Sequence, residues 1–230
     1  MEALQTLETQ GGEILFSSEG EEEAEIYAHL PEDSTIPFDG KLAELPSIDW
    51  QGQWDLHGVR HLPIRGKEIE FIAGPGFGDY SHPTTQLMIE LMEEHLQGEL
   101  VIDIGCGSGI LSLAAIALGA KQVIGIDIDP EALHHSQENA RINGMEERCS
   151  FCLPEQLEIH EEAFLLMNMI TSEQKVAWES VKHIKGAGLI TSGVLAEEKE
   201  EYLKWLEGEG WSLVAEKEKE GWLAFYCILL

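Results

Sequence analysis

The stretch VIDIGCGSGI, residues 101–110, decides the fold. Val101 to Ile104 is a short apolar run, long enough for one buried strand. Gly105, Gly107 and Gly109 follow at alternate positions, and GILSLAAIALG then reads as a helix closed by Gly119. A strand, a glycine loop and a helix in that order place the loop at the carboxyl end of the strand. Ligands of open parallel sheets bind there.

The same grammar extends in both directions. Downstream, KQVIGIDID (121–129), RCSFCLP and AFLLMNMI (about 163–170) read as strands, as does AGLITSGVL. Between them PEALHHSQENARING, opened by Pro130, and SEQKVAWESVKHI read as helices, and AEEKEEYLKWLEGEG follows as another. The last stretch, WSLVAEKEKEGWLAFYCILL, predicts two strands around a charged turn. Alternation of this kind means a parallel sheet with helices on both faces. Upstream, Leu87, Met88, Leu91, Met92 and Leu96 recur at helical spacing after His82-Pro83. Before them GPGFGDYS, residues 74–81, has the composition of a mobile glycine segment. Residues 49–73 read as a connector with a strand-like IEFIA, and a short hairpin around EILFSSEG is compatible with residues 13–20.

Composition sets outer bounds. The 230 residues are 43% hydrophobic, enough for a proper core. The formal charge is -29, from 43 acids against 14 bases. Phosphate binding wants lysine and arginine, so nucleic acid is a poor primary partner, whereas a basic protein would be attracted. Residues 1–49 hold 13 acids and the single base Lys41, and read as a solvated acidic segment. The N-terminus lacks a basic stretch before an apolar one, and no apolar run reaches membrane length. With Cys106, Cys149, Cys152 and Cys227 as the only cysteines, the expectation is a cytoplasmic protein with reduced thiols and no metal site.

The loop then has to be matched to a ligand. Counting G-x-G-x-x-G from Gly105 puts Ile110 at the third glycine, and counting from Gly107 puts Ser112 there. A phosphate-binding P-loop needs a following Lys-Ser/Thr, which is missing. What remains is D-x-G-x-G-x-G, with Asp103 near the strand end. A carboxylate repels pyrophosphate and attracts an ammonium or sulfonium group. S-adenosylmethionine carries both and no phosphate. The next strand ends in GIDIDP, where Asp127 can accept both hydroxyls of a ribose and Ile128 can lie on an adenine face. Asp129 reads as the cap of the helix opened by Pro130.

The chain resembles the class I methyltransferases and, more closely, the PrmA family, which methylates ribosomal protein L11. That family shows stretches like FGTGTHPTT, VIDFGCGSGIL, GIDIDP and a strand ending in Asn-Ile. This chain reads FGDYSHPTT, VIDIGCGSGIL, GIDIDP and MNMI, preceded by Asp49-Trp50 and Trp54. The resemblance covers roughly residues 48–230. It implies an α/β fold: a Rossmann-like seven-stranded class I methyltransferase sheet with a terminal antiparallel hairpin, here behind a short acidic N-terminal extension. It implies an acidic recognition region at 1–48, a connector and glycine lid at 49–83, and an S-adenosylmethionine-binding domain at 84–230.

By position, the resemblance puts Thr85, Gly105, Asp127 and Asn168 on the cofactor. Asp103, Gly107, Gly109 and Ile128 join them from the loop reading. Asn168 is also the candidate catalytic residue, accepting a hydrogen bond from the substrate amine. The implied activity is N-methylation of a lysine or α-amine on a ribosomal protein. A small-molecule methyltransferase and a non-catalytic cofactor-binding module stay open on the residues alone. Two departures stand out: Asp79-Tyr80-Ser81 replaces Thr-Gly-Thr in the lid, and the region before Asp49 is about half the family's usual length.

Overall fold

Apolar residues at alternate positions of one strand feed two separate cores. In AFLLMN, Phe164 and Leu166 face one side of the sheet, while Leu165 and Met167 face the other. A strand buried on both faces needs helices on both, and the chain supplies them. The computed structural model describes residues 13–19, 24–29, 59–72, 80 and 82–230. The chain divides into two compact units, Met1–Ile48 and Asp49–Leu230.

In the first unit, β1 (Glu13–Glu19) and β2 (Ala24–His29) pair antiparallel, with a bulge between Ile14 and Phe16. This is where the sequence suggested a hairpin.

The second unit opens with another antiparallel pair, β3 (Val59–Ile64) and β4 (Lys67–Ile72). Arg65 and Gly66, at φ 45° and 77°, make its two-residue turn. Here the structure differs from the connector expected over 49–73. Leu62, Ile64, Ile69 and Phe71 are buried in the core of the sheet's first face.

Helix α1 (Pro83–His95) follows, then β5 (Leu100–Ile104), α2 (Ile110–Leu118), β6 (Gln122–Ile126) and α3 (Pro130–Ile142). The chain continues through β7 (Cys149–Cys152), β8 (Ala163–Asn168) and α4 (Thr171–Val181). It ends with β9 (Gly186–Leu195), α5 (Lys199–Gly208), β10 (Trp211–Lys219) and β11 (Trp222–Leu229).

Seven strands form one sheet in the order β10-β11-β9-β8-β5-β6-β7. Strands β5 to β9 are parallel, and β11 runs antiparallel to both β9 and β10. This is the Rossmann-like sheet with a terminal antiparallel hairpin that the sequence implied. One face carries α1 and α2, and the other carries Trp178 and Val181 of α4 with Tyr202 and Leu206 of α5. Each such buried apolar side chain is worth about 1.5–3 kcal/mol. Among the described residues, no helix is long and apolar enough to cross a membrane.

Candidate cofactor and methyl-transfer site

Strand β5 lies between β6 and β8. The chain leaves β5 toward β6 and β7 and then returns to β8 on the opposite side. Such a reversal opens a crevice at the carboxyl ends of the strands. Three segments meet there: the glycine loop after β5, Asp127 after β6, and Asn168 at the end of β8.

The loop is pinned to its neighbour. The Gly105 and Cys106 amides both donate to the Ile126 carbonyl, at 2.8 and 3.0 Å, and the Gly109 amide closes a turn onto the Cys106 carbonyl at 2.8 Å. Gly105, Gly107 and Gly109 all hold positive φ, at 69°, 53° and 76°. Within the loop Gly105 is the exposed residue, while Cys106, Gly107, Ser108 and Gly109 are buried. Burial, with the charges of Asp103 and Asp127 added, holds the Cys106 thiol well above its usual range. It is a packing residue and no nucleophile.

Asp127 ties the two strand ends together. Its Oδ2 accepts the Gly107 amide at 2.9 Å and its Oδ1 accepts the Asp129 amide at 3.0 Å. Each oxygen keeps a further lone pair for a ligand hydroxyl. Beside it the apolar side chain of Ile128 is 83% exposed among the described residues. Asp129 caps α3 through the Glu131 amide, as its place before Pro130 suggested.

Asp103 sits differently from its neighbours. It is 1% exposed, and its Oδ2 accepts the Ser112 hydroxyl at 2.6 Å. Burial raises its carboxyl to about 6, opposed by hydrogen bonds from the Ser112 side chain and backbone and reinforced by the Asp127 charge. The loop reading put Asp103 against the cofactor. The structure turns its carboxylate to the first turn of α2, beneath the loop, so any effect on a cation acts through space.

Thr85 lies in the first turn of α1. His82 caps that helix: its Nδ1 accepts the Thr84 amide and lies 2.8 Å from the Thr84 hydroxyl. The His82 ring meets Trp222 edge-on at 5.5 Å. Trp222 pairs with Leu195 at the end of β9, so the start of α1 sits at the carboxyl edge of the sheet. Thr85 is fully buried, yet its Oγ1 has no hydrogen-bond partner among the described residues. A buried hydroxyl left alone costs about 1–3 kcal/mol. Gln86 holds the Tyr80 carbonyl at 2.7 Å. Residues 74–79 and Ser81 of the expected lid, with Trp50 and Trp54, lie outside the described residues.

Asn168 ends β8, paired in register with Ser192 of β9. It is half-buried and its amide makes no hydrogen bond among the described residues. The next residue, Met169, reaches over Gly105: a Cβ there would meet its Cε at 2.3 Å. On the far side a cleft of about 580 Å³ continues from the same strand end, lined by Ile170, Thr171, Gly193 and Trp222 among others.

Several residues that shape the site had escaped sequence reading. Gly193 is one: at φ 93°, a Cβ there would lie 2.1 Å from the Met169 carbonyl oxygen. A glycine inside a strand pattern signals such a close approach. Asn139 is another. Its Oδ1 accepts the Ile72 amide at 2.8 Å, and its Nδ2 donates to the Ser108 carbonyl at 2.8 Å, joining the end of β4 to the glycine loop. On a helix with a polar face, nothing in the sequence distinguishes it from its neighbours.

A family model described as ribosomal protein L11 methyltransferase (PrmA) matches residues 61–228. A protein of that name from Alteromonas mediterranea is 38% identical over 70% of this chain and 61% of its own length. Another, from Pseudomonas paraeruginosa, is 33% identical over 91% of this chain and 77% of its own length. Against several such relatives the chain spans between 52% and 61% of their length. Among solved structures, the ribosomal protein L11 methylase of Lactobacillus delbrueckii subsp. bulgaricus matches with a TM-score of 0.62. It is 24% identical, over 73% of this chain and 89% of that one, and speaks for the fold alone.

Proposed function

The chain belongs to the ribosomal protein L11 methyltransferase (PrmA) family, and from that membership we propose that it transfers a methyl group from S-adenosylmethionine to an amine of a basic protein, with ribosomal protein L11 as the first candidate. The observation that carries the proposal is the convergence of Asp127, Gly105 and Asn168 at the ends of three adjacent strands.

In this reading Asp127 gives its spare lone pairs to the ribose hydroxyls, and exposed Ile128 covers one face of the adenine. Gly105 lets the ligand approach the backbone, and Thr85 supplies a hydroxyl that has no partner among the described residues. When bound, S-adenosylmethionine supplies an electrophilic methyl on a sulfonium, whose departing thioether is neutral and needs no acid. The work of the protein is alignment and exclusion of water. Asn168, through its side-chain oxygen, accepts an N–H of the substrate amine and aims the nitrogen lone pair. A lysine or α-amine must first lose a proton, and burial in the crevice assists this by disfavouring its charged form. The acidic stretch 1–48 serves as a recognition region, and the overall charge of -29 favours a basic partner.

The test is incubation of the chain with methyl-labelled S-adenosylmethionine and a ribosome-containing lysate. A labelled band at ribosomal protein L11 is expected. Label in small solutes, or tight cofactor binding without transfer, overturns the reading.

A further inference from the structure

The amide of Gln174, in the first turns of α4, is fully buried and uses its whole hydrogen-bonding capacity. Its Nε2 donates to two backbone carbonyls, Met169 at 2.6 Å and Ser192 at 2.9 Å. Its Oε1 accepts the Thr191 hydroxyl at 2.7 Å and is joined by the Tyr202 hydroxyl. The orientation is unambiguous, because two carbonyls can face only the nitrogen. Burial holds the Tyr202 phenol proton well above its usual range, so that hydroxyl stays a donor.

The two carbonyls have particular positions. Met169 directly follows Asn168, and Ser192 is the residue paired with Asn168 across β8 and β9. The ladder ends at that pair, where β8 turns away into α4. Gln174 therefore ties Ser192 of the last register pair to Met169, one step beyond it. Gly193 closes the other side against the Met169 backbone. Asn168 itself has no side-chain hydrogen-bond partner among the described residues, and the backbone that carries it is the backbone that Gln174 holds.

We infer that Gln174 is a positioning residue for methyl transfer: it fixes the Asn168-Met169 strand end, and hence where the Asn168 amide meets the substrate amine. The inference rests on the function proposed above for Asn168. Asp127 and Thr85 lie on other elements, whereas Gly105 is touched by the Met169 side chain. A misplacement of about 1 Å at a reacting group is enough to cost roughly 100-fold in rate.

The experiment compares Gln174→Met with Tyr202→Phe. The methionine keeps the size and loses every hydrogen bond. The phenylalanine removes one partner from the oxygen side and leaves both carbonyl ties intact. Expected for Gln174→Met is a fall in kcat of roughly 10- to 100-fold, with S-adenosylmethionine affinity within about twofold of wild type. Tyr202→Phe loses thermal stability yet keeps kcat. In cofactor-free protein, amide NMR signals of Asn168 and Met169 broaden or shift in Gln174→Met, while those of Thr85 and Asp127 stay in place. Should Gln174→Met not fold, Gln174→Glu keeps the shape but, with its buried carboxyl protonated, leaves one O–H donor for two carbonyls, and it is read the same way. Unchanged kcat and unchanged Asn168 signals overturn the inference, as does an equal loss of kcat in Tyr202→Phe. If the wild-type chain transfers no methyl group, the proposed function fails, and the NMR comparison still decides the role of Gln174.

Discussion

The carboxylate of Asp127 accepts the backbone amide of Gly107 at 2.9 Å, fastening the end of β6 to the loop that follows β5. One side chain thus shapes the loop and presents its remaining lone pairs to a ligand. Asp127→Ala removes both contributions. A hydrogen bond to a charged group is worth about 1.5–3 kcal/mol, so S-adenosylmethionine affinity falls at least roughly tenfold. The fold survives, because Asp127 lies outside both apolar cores. Titration calorimetry with circular dichroism reads both effects. Unchanged affinity would place the ribose elsewhere.

Thr85 makes an opposite pair of predictions. Its buried hydroxyl has no hydrogen-bond partner among the described residues. Thr85→Val removes an unmet desolvation cost, so the free protein gains about 1 kcal/mol. The same change deletes a ligand contact, so S-adenosylmethionine affinity falls, by roughly fivefold. Thermal melts with and without cofactor separate the two. A valine variant that loses stability in the free state would mean that the hydroxyl is already satisfied.

Gly193 and Gly105 distinguish two kinds of crowding around Met169. A Cβ on Gly105, at φ 69°, meets the tip of the flexible Met169 side chain. Gly105→Ala therefore costs mainly the backbone strain, about 1–2 kcal/mol. A Cβ on Gly193, at φ 93°, meets the Met169 carbonyl oxygen at 2.1 Å and its carbon at 2.6 Å. Backbone has to move, and it carries Asn168 with it. Denaturant melts should show Gly193→Ala as the more destabilised variant, and its transfer rate should fall further than its cofactor affinity.

Asp103 carries a pH signature. Burial holds its folded carboxyl at about 6 against an ordinary 3.8. Between those values the folded protein keeps a proton that the unfolded chain has released, so this group lowers stability as pH rises through the window. Asp103→Asn does not titrate. The stability of the asparagine variant relative to wild type should therefore rise by on the order of 3 kcal/mol from about pH 4 to about pH 7, then level off. Denaturant melts across that range test it, and a gap independent of pH would mean that the carboxylate is solvated.

Much of this molecule could be read from residue patterns, and what could not has physical causes. Apolar runs gave the parallel strands, and local caps at Pro83, Pro130 and Gly119 gave helix ends, because both depend on short-range chemistry. Of the β3–β4 hairpin the strand-like IEFIA was legible as β4, whereas β3 hid behind Pro63 and the pairing was missed although Arg65-Gly66 is a two-residue turn. Asp127, Gly105 and Asn168 each end a strand, so their meeting followed once a parallel sheet was accepted. Gln174 and Asn139 bond to backbone groups distant in the chain, Gln174 to Ser192 and Asn139 to Ile72 and Ser108. Those partners exist only after folding, so a sequence pattern cannot announce them.

The most direct test of the central claim is mass spectrometry of purified ribosomal protein L11 after incubation with the chain and S-adenosylmethionine, run beside Asn168→Ala. The account predicts methyl increments on a lysine or the N-terminal amine with the wild-type chain. It predicts their near loss with Asn168→Ala, whose cofactor affinity stays within about an order of magnitude of wild type. Unmodified L11 in the presence of bound cofactor, or equal methylation by Asn168→Ala, would contradict it.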